Sequence, residues 1–425
     1  MRIFRYMYES GIRTSLLERM FVTEKKVSYT KNLVLGSYDY PYNEDLFTIN
    51  FSRTKRILIL GGTGAGKSFL ARSLWNRAYM AGITPVIMTD IKPEHYTSQY
   101  PLQENFRKFL FKEEKPITIP MSVYYPSFLH KITGLDLPNQ KICKLSVSSI
   151  VPTDLMAFVD YENLSLTMRM ELEDLVATLM KEDVKFTTID EIIEYIDNKE
   201  ITPSVKNRLI KSFRNLKELG IFGGEDESFD YIKDIKEGKV VDFNIFGWQR
   251  VDMKRYMSLF LAILIRDLLS SKMMKRLEAS RHLLLFFEEL HAFCPRGRRI
   301  SKAEEISRSE IIRAVNMGRS EKISFLFVTQ DPNNIDPTIL SQVDYILIGR
   351  KFERRKLMDL MRDYIPDYSD YTPYEFGRRV SELIGSLRKW KDGAREWICI
   401  KKGEEPRTFV PFAPLTYHKE EGETL

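Results

Sequence analysis

Residues Arg56–Gly82 read RILILGGTGAGKSFLARSLWNRAYMAG, an apolar run, a glycine-rich loop and a helical segment in direct succession. The loop, Gly61-Gly62-Thr63-Gly64-Ala65-Gly66-Lys67-Ser68, satisfies G-x-x-x-x-G-K-[ST] in full, with Phe69 next in the helix that follows. Its glycines let the backbone turn tightly enough to aim successive N–H groups at phosphate oxygens. Lys67 would reach the β- and γ-phosphates, Ser68 would coordinate Mg²⁺, and the helix beginning there adds its positive dipole end. A glycine closes that helix at Gly82, and a second apolar run, TPVIMTD, follows at once. Strand, helix and strand at this spacing make a βαβ unit, which predicts an α/β fold with a parallel sheet.

A triphosphate site gives work to a second feature. His282–Pro295 reads HLLLFFEELHAFCP, an apolar strand ending on two adjacent carboxylates, Glu288 and Glu289. Alone, the pair could be a solvated acidic turn. Beside a phosphate loop, one strand-end carboxylate holds the Mg²⁺ shell and its neighbour polarises the attacking water. Successive side chains at a strand end diverge, so Glu288 is assigned to the metal and Glu289 to the γ-phosphate.

The rest of the chain fits around these two strands. Helical spacing runs through LEDLVATLM, IDEIIEYI and SVKNRLIKSFRNLKEL, between about Pro152 and Lys236. Strand patterns return at KVVDFNIF, KISFLFVTQ, VDYILIGR, REWICIKKG and RTFVPFAPL. The expected organisation is a short N-terminal segment (1–50), a core in two parts (51–150 and 237–350) split by a helical insertion (151–236), and C-terminal helices and strands (351–425) packing on that core. The 425 residues are 43% hydrophobic and 29% charged, which suits a folded globular chain and excludes disorder. A net charge of +6 permits a nucleic-acid partner without establishing one. Cys143, Cys294 and Cys399 have no metal-type spacing and read as thiols of a reducing cytoplasm. The most apolar helix, MSLFLAILIRDLLSS, meets Arg266 and Asp267 well short of the ~20 residues a membrane span needs.

With these residues in place, the sequence resembles the HerA/FtsK superfamily of ring-forming DNA-pumping ATPases, HerA most closely. ILILGGTGAGKS, TDIKPEHY (with Asp90 and Glu94 at its acidic positions), KVVDFNIFGWQ, FFEELHAF and NMGRSEKISFLFVTQDPNNIDPTILSQVDYILIGR carry the likeness, which runs from about Leu35 to His418. Two departures stand out. Only 60 residues precede the loop, too few for HerA's full N-terminal β-barrel, and Glu288 stands where the family has aspartate.

The resemblance implies a RecA-like P-loop NTPase core, ATP and Mg²⁺ as ligands, and hydrolysis at subunit interfaces of a ring, usually a hexamer, that drives double-stranded DNA through a central pore. It implies that Gln330 senses the γ-phosphate or the attacking water, and that Arg319 or Arg350 acts on a neighbouring subunit's nucleotide. Loops leaving that sheet edge line the pore in related motors, so Arg296, Arg298 and Arg299 are candidate DNA contacts. From Arg296 to Lys322 there are eight basic and four acidic residues. The implied partners are duplex DNA, further copies of the chain, and a nuclease, portal or transfer-machinery protein. The short N-terminus favours a viral or mobile-element relative. Two other readings are an ATPase powering protein secretion or conjugative and pilus machinery, and a nucleotide-switched scaffold that hardly turns over. Glu289 and Gln330 argue against the scaffold, since a switch needs no water-polarising group.

Overall fold

The computed structural model describes residues 32–111, 114–159, 161–182, 184–223, 229–250, 253–297, 300–353, 355–357, 360 and 372–418. In chain order the strands are β1 (Leu33–Ser37), β2 (Leu46–Ile49), β3 (Arg56–Leu60), β4 (Thr84–Asp90), β5 (Met121–Pro126), β6 (Gln140–Cys143), β7 (Leu145–Ser146), β8 (Phe222–Gly223), β9 (Val240–Asn244), β10 (Leu283–Glu288), β11 (Ile323–Thr329), β12 (Tyr345–Ile348), β13 (Trp397–Lys401) and β14 (Arg407–Pro411). All but β7 and β8 join one sheet, ordered β2-β1-β14-β13-β12-β3-β11-β10-β4-β9-β5-β6. Every pairing from β12 to β6 is parallel; those from β2 to β12 are antiparallel.

The central strands are apolar because both faces are covered. Each residue of β3, β4, β10, β11 and β12 is buried. Alternation along β3 divides the core in two: Ile57 and Ile59 join Leu70, Leu74 and Trp75 of α1 (Lys67–Met80). Leu58 and Leu60 belong to the other layer, with Phe260, Leu264 and Leu268 of the long helix Met253–Met273. Arg266, which interrupts that helix's apolar text, is held by Asp154 at 2.9 Å and Glu310 at 3.1 Å. It is thus a partly buried tie between helices rather than a solvated break. No helix among the described residues is long and apolar enough to cross a membrane.

Between β6 and β9 lie the helices Leu166–Glu182, Ile189–Asp197 and Pro203–Leu219. The second starts on a Thr188/Glu191 capping box, and the third starts with proline at its first turn and stops at Gly220, φ 70°. Their apolar faces join the same core layer as Phe260.

Two features were not anticipated. Residues 1–50 read as mixed pieces, yet β1 and β2 extend the sheet, with Gly36 against β14 so closely that a Cβ there would lie 2.4 Å from the Val410 carbonyl. The pairing is non-local, so no nearby residue announces it. The helical block also ends in strand β8, which pairs in parallel with β7.

Candidate functional site

In β12-β3-β11-β10-β4 all five strands run in the same direction, so their carboxyl ends form one edge, where ligands of open α/β sheets bind. The loop after β3 opens there. Gly64 and Gly66 hold φ of 71° and 92°, and Gly66 is the residue that caps α1. A Cβ on Gly62 would come 2.6 Å from the Lys351 carbonyl oxygen. The backbone is therefore shaped by glycines where a side chain would clash or strain. Lys67 Nζ donates to the carbonyls of Gly61 (2.9 Å) and Gly62 (3.1 Å). Burial lowers its pKa, and Glu289 opposes that shift.

β11 lies between β3 and β10, so Gln330 at its end falls between the loop and the paired carboxylates. Thr63 Oγ1 donates to Gln330 Oε1 at 3.2 Å, and Gln330 Nε2 donates to Glu289 Oε1 at 3.4 Å. His291 Nδ1 stands 3.2 Å from Glu289 Oε2 and 3.0 Å from Thr329 Oγ1. Glu289 has left-handed backbone (φ 46°, ψ 46°), a conformation that side chains other than glycine and asparagine rarely adopt. This turn separates the two glutamates more sharply than strand alternation alone would. Glu288 is the last residue of β10 and exchanges two hydrogen bonds with Thr89: its N–H donates to Oγ1 (2.7 Å), and Oγ1–H donates to its carbonyl (2.9 Å). Burial raises the Glu288 carboxyl to about 7, Lys92 opposes this, and Glu289 reinforces it.

Behind Glu288 is a layer of buried charge. Asp90, ending β4, accepts from the backbone N–H groups of Lys92, Glu94 and His95. Burial raises its pKa and lowers that of His95 to about 4. Asp242 on the neighbouring β9 is fully buried, and burial followed by Asp90 pushes its carboxyl well above the ordinary range.

Loop, glutamates and Gln330 share a cavity of about 740 Å³. Of its remaining walls only Phe69, expected beside the phosphate loop, belonged to the sequence reading; the others escaped it. Lys92 lies beside the glutamates; Phe69 meets Phe106 at a tilt and His418 edge to face; and Arg395, Trp397 and Pro411 arrive from the C-terminal strands and the turn before them. Arg395 Nη1 donates to the Gly64 carbonyl.

A family model described as "Helicase HerA, central domain" matches residues 47–264. The chain belongs to the HerA central-domain family. The resemblance read from the motifs is thereby borne out, as is the α/β class with its mainly parallel sheet. No curated protein matches the sequence. Among solved structures, VirB4 of Thermoanaerobacter pseudethanolicus is similar in fold, with a TM-score of 0.55 at 14% identity over 90% of this chain and 96% of that one. The bacterial conjugative coupling protein TrwB gives a TM-score of 0.47 at 13% identity, covering 93% and 94%. The genome packaging NTPase B204 of Sulfolobus turreted icosahedral virus 2 gives 0.37 at 11%, covering 84% and 98%.

Within this HerA-type P-loop ATPase, the two arginines proposed to act across subunits occupy opposite edges. Arg350 follows β12 at the phosphate edge, where its carbonyl accepts from Gly62 N–H at 3.4 Å. Arg319 is exposed in the turn before β11, at the far edge of the sheet from its own loop. Arg296 is exposed, and its N–H donates to the Asn334 carbonyl at 2.7 Å, which ties its loop to the segment after β11. Arg298 and Arg299 lie outside the described residues.

Proposed function

We propose that this chain is an ATP-driven ring motor that moves double-stranded DNA. The observation that carries the hydrolytic part is the convergence of Lys67, Gln330, Glu288 and Glu289 on one cavity beside a glycine-shaped loop. The HerA family membership supports DNA as the substrate. The residues suit a nucleotide with its metal: Lys67 has only backbone carbonyls to serve, which phosphate oxygens would replace, and Ser68 and Glu288 both line the cavity. Ser68 and Glu288 would hold the Mg²⁺, which would supply charge neutralisation to the phosphates. Glu289 accepts the proton of the attacking water, Gln330 orients that water, and Lys67 stabilises the charge gathering on the transferred phosphoryl group. Glutamate in place of aspartate at 288 keeps a carboxylate and sets it one methylene further along, so its metal contact is made from a slightly retracted backbone or through water.

Arg319 cannot reach its own nucleotide from the far edge of the sheet, so it serves the neighbour's. Mixing Arg319→Ala subunits with Lys67→Ala subunits should restore part of the activity neither variant has alone. No recovery in intact mixed rings rules out Arg319 as the trans residue and leaves Arg350.

Arg296, with Arg298 and Arg299, would give phosphate contacts that are sequence-independent and steeply salt-sensitive. ATP hydrolysis should rise several-fold with long linear duplex DNA at low salt, and the stimulation should fade as salt is raised. Turnover indifferent to duplex would remove the translocase reading and favour an ATPase serving secretion or conjugative machinery.

A further inference from the structure

Asp90, His95 and Glu288 each turn one ligand atom toward the others, all within 4.8 Å, and all three side chains are buried. The imidazole of His95 is 1% exposed, and among the described residues neither ring nitrogen has a hydrogen-bond partner. Its Nε2 points at Glu288 Oε1 from 3.5 Å, beyond an effective hydrogen bond. Fully buried Asp242, one strand away, has no donor to either oxygen among the described residues unless it shares a proton with the neighbouring Asp90. Three buried carboxyl groups (Asp90, Asp242, Glu288) adjoin one buried guanidinium, Arg72. That guanidinium spends its donors on Thr97 Oγ1 and on the carbonyls of Glu94 and Tyr417, not on the carboxyls. With the three carboxyls ionised and the imidazole neutral, the layer carries two negative charges beyond what Arg72 offsets, and only Lys92, on the cavity side of Glu288, stands against them. Protons shared among the acids would cancel the charge but leave the imidazole unmet, at a cost typical of unsatisfied buried polar groups.

We propose that Asp90, His95 and Glu288 bind a divalent transition-metal ion of the Mn²⁺, Co²⁺ or Zn²⁺ kind, behind the nucleotide cavity. One such ion supplies both missing charges and a partner for the imidazole. Ligand distances of about 2.0–2.2 Å set neighbouring ligand atoms roughly 3–3.5 Å apart; the His95 Nε2–Glu288 Oε1 pair already stands at 3.5 Å, and any pair nearer the 4.8 Å bound draws in as the ion enters. An imidazole among carboxylates selects these ions over Mg²⁺, which keeps its water and prefers an all-oxygen shell. Glu288 Oε1 faces His95, leaving Oε2 for the nucleotide's Mg²⁺. The site shares Glu288 with the hydrolytic reading but does not depend on turnover.

The test uses the chelator-treated full chain without nucleotide, titrated with CoCl₂ and followed by visible absorption. One equivalent should bind with ligand-field bands, His95→Gln should weaken binding by roughly 10²-fold, and Lys67→Ala should bind Co²⁺ like the wild type. Glu288→Gln must also weaken it, which keeps the test decisive if His95→Gln folds poorly. Failure of the wild type to bind, or equal binding by both ligand variants, overturns the site. Because nucleotide is absent, that failure leaves the ATPase reading standing, and retained Co²⁺ binding by Lys67→Ala keeps the site if the ATPase reading falls.

Discussion

Lys67→Ala should abolish measurable ATP binding. In the structure the Lys67 ammonium is partly buried and held by two loop carbonyls, Gly61 at 2.9 Å and Gly62 at 3.1 Å. These are neutral acceptors, and burial already disfavours its charge. A polyphosphate offers that cation a charged partner at the same place, so a large share of its binding energy arises only when nucleotide arrives. Truncating one partner of a buried charged pair costs about 2–5 kcal/mol, which is roughly 30-fold to 4,000-fold in Kd. Removing the side chain leaves the glycine geometry and α1 intact, so far-UV circular dichroism should match the wild type while titration calorimetry with an ATP analogue shows no binding. Lys67→Arg should not rescue, because a planar guanidinium does not fit a point-charge position in so tight a loop. Wild-type affinity in Lys67→Ala would mean that the loop is not the phosphate site.

How much of this could be read from the sequence follows from how local each requirement is. The phosphate loop was legible because contiguous residues set its geometry: Gly64 and Gly66 sit at positive φ, and Lys67 begins the helix. The strand ending in Glu288–Glu289 was legible because a buried run must have a reason to end on carboxylates. The cavity's other walls had no such signature. Arg395, Trp397 and Pro411 reach the loop only because β13 and β14 fold back beside β12, and nothing near them in sequence signals that approach. The buried layer behind Glu288 shows the same limit. Asp90 and His95 stood inside a recognised segment, but their convergence on Glu288 depends on β4 lying next to β10. Asp242 read as an ordinary strand residue until the pairing of β9 with β4 buried it. The Arg319 and Arg350 alternatives could not be separated by motif, whereas strand direction puts them on opposite edges.

Glu289→Gln should bind ATP and fail to cleave it. The substitution keeps side-chain volume and an oxygen to accept from Gln330 Nε2, now at 3.4 Å. It removes only the charge and the ability to take a proton. Alanine or glycine would be poorer probes, since Glu289 occupies left-handed backbone and glycine there would also relieve strain. Loss of a positioned general base costs about 10²–10⁴-fold, so turnover should fall by that factor while folding is unchanged. Affinity for ATP should hold or tighten, because one negative charge beside the γ-phosphate is gone. The two glutamates are thereby separated. Glu288 is anchored by Thr89 and turned toward Asp90 and His95, whereas Glu289 faces Gln330 and influences Lys67 more strongly than Glu288 does. A ring of Glu289→Gln subunits should therefore accumulate bound, uncleaved ATP, measurable by quench and chromatography of the bound nucleotide. Normal turnover in that variant would transfer the water-activating role to Glu288, and with it the assignment of the metal side of the site.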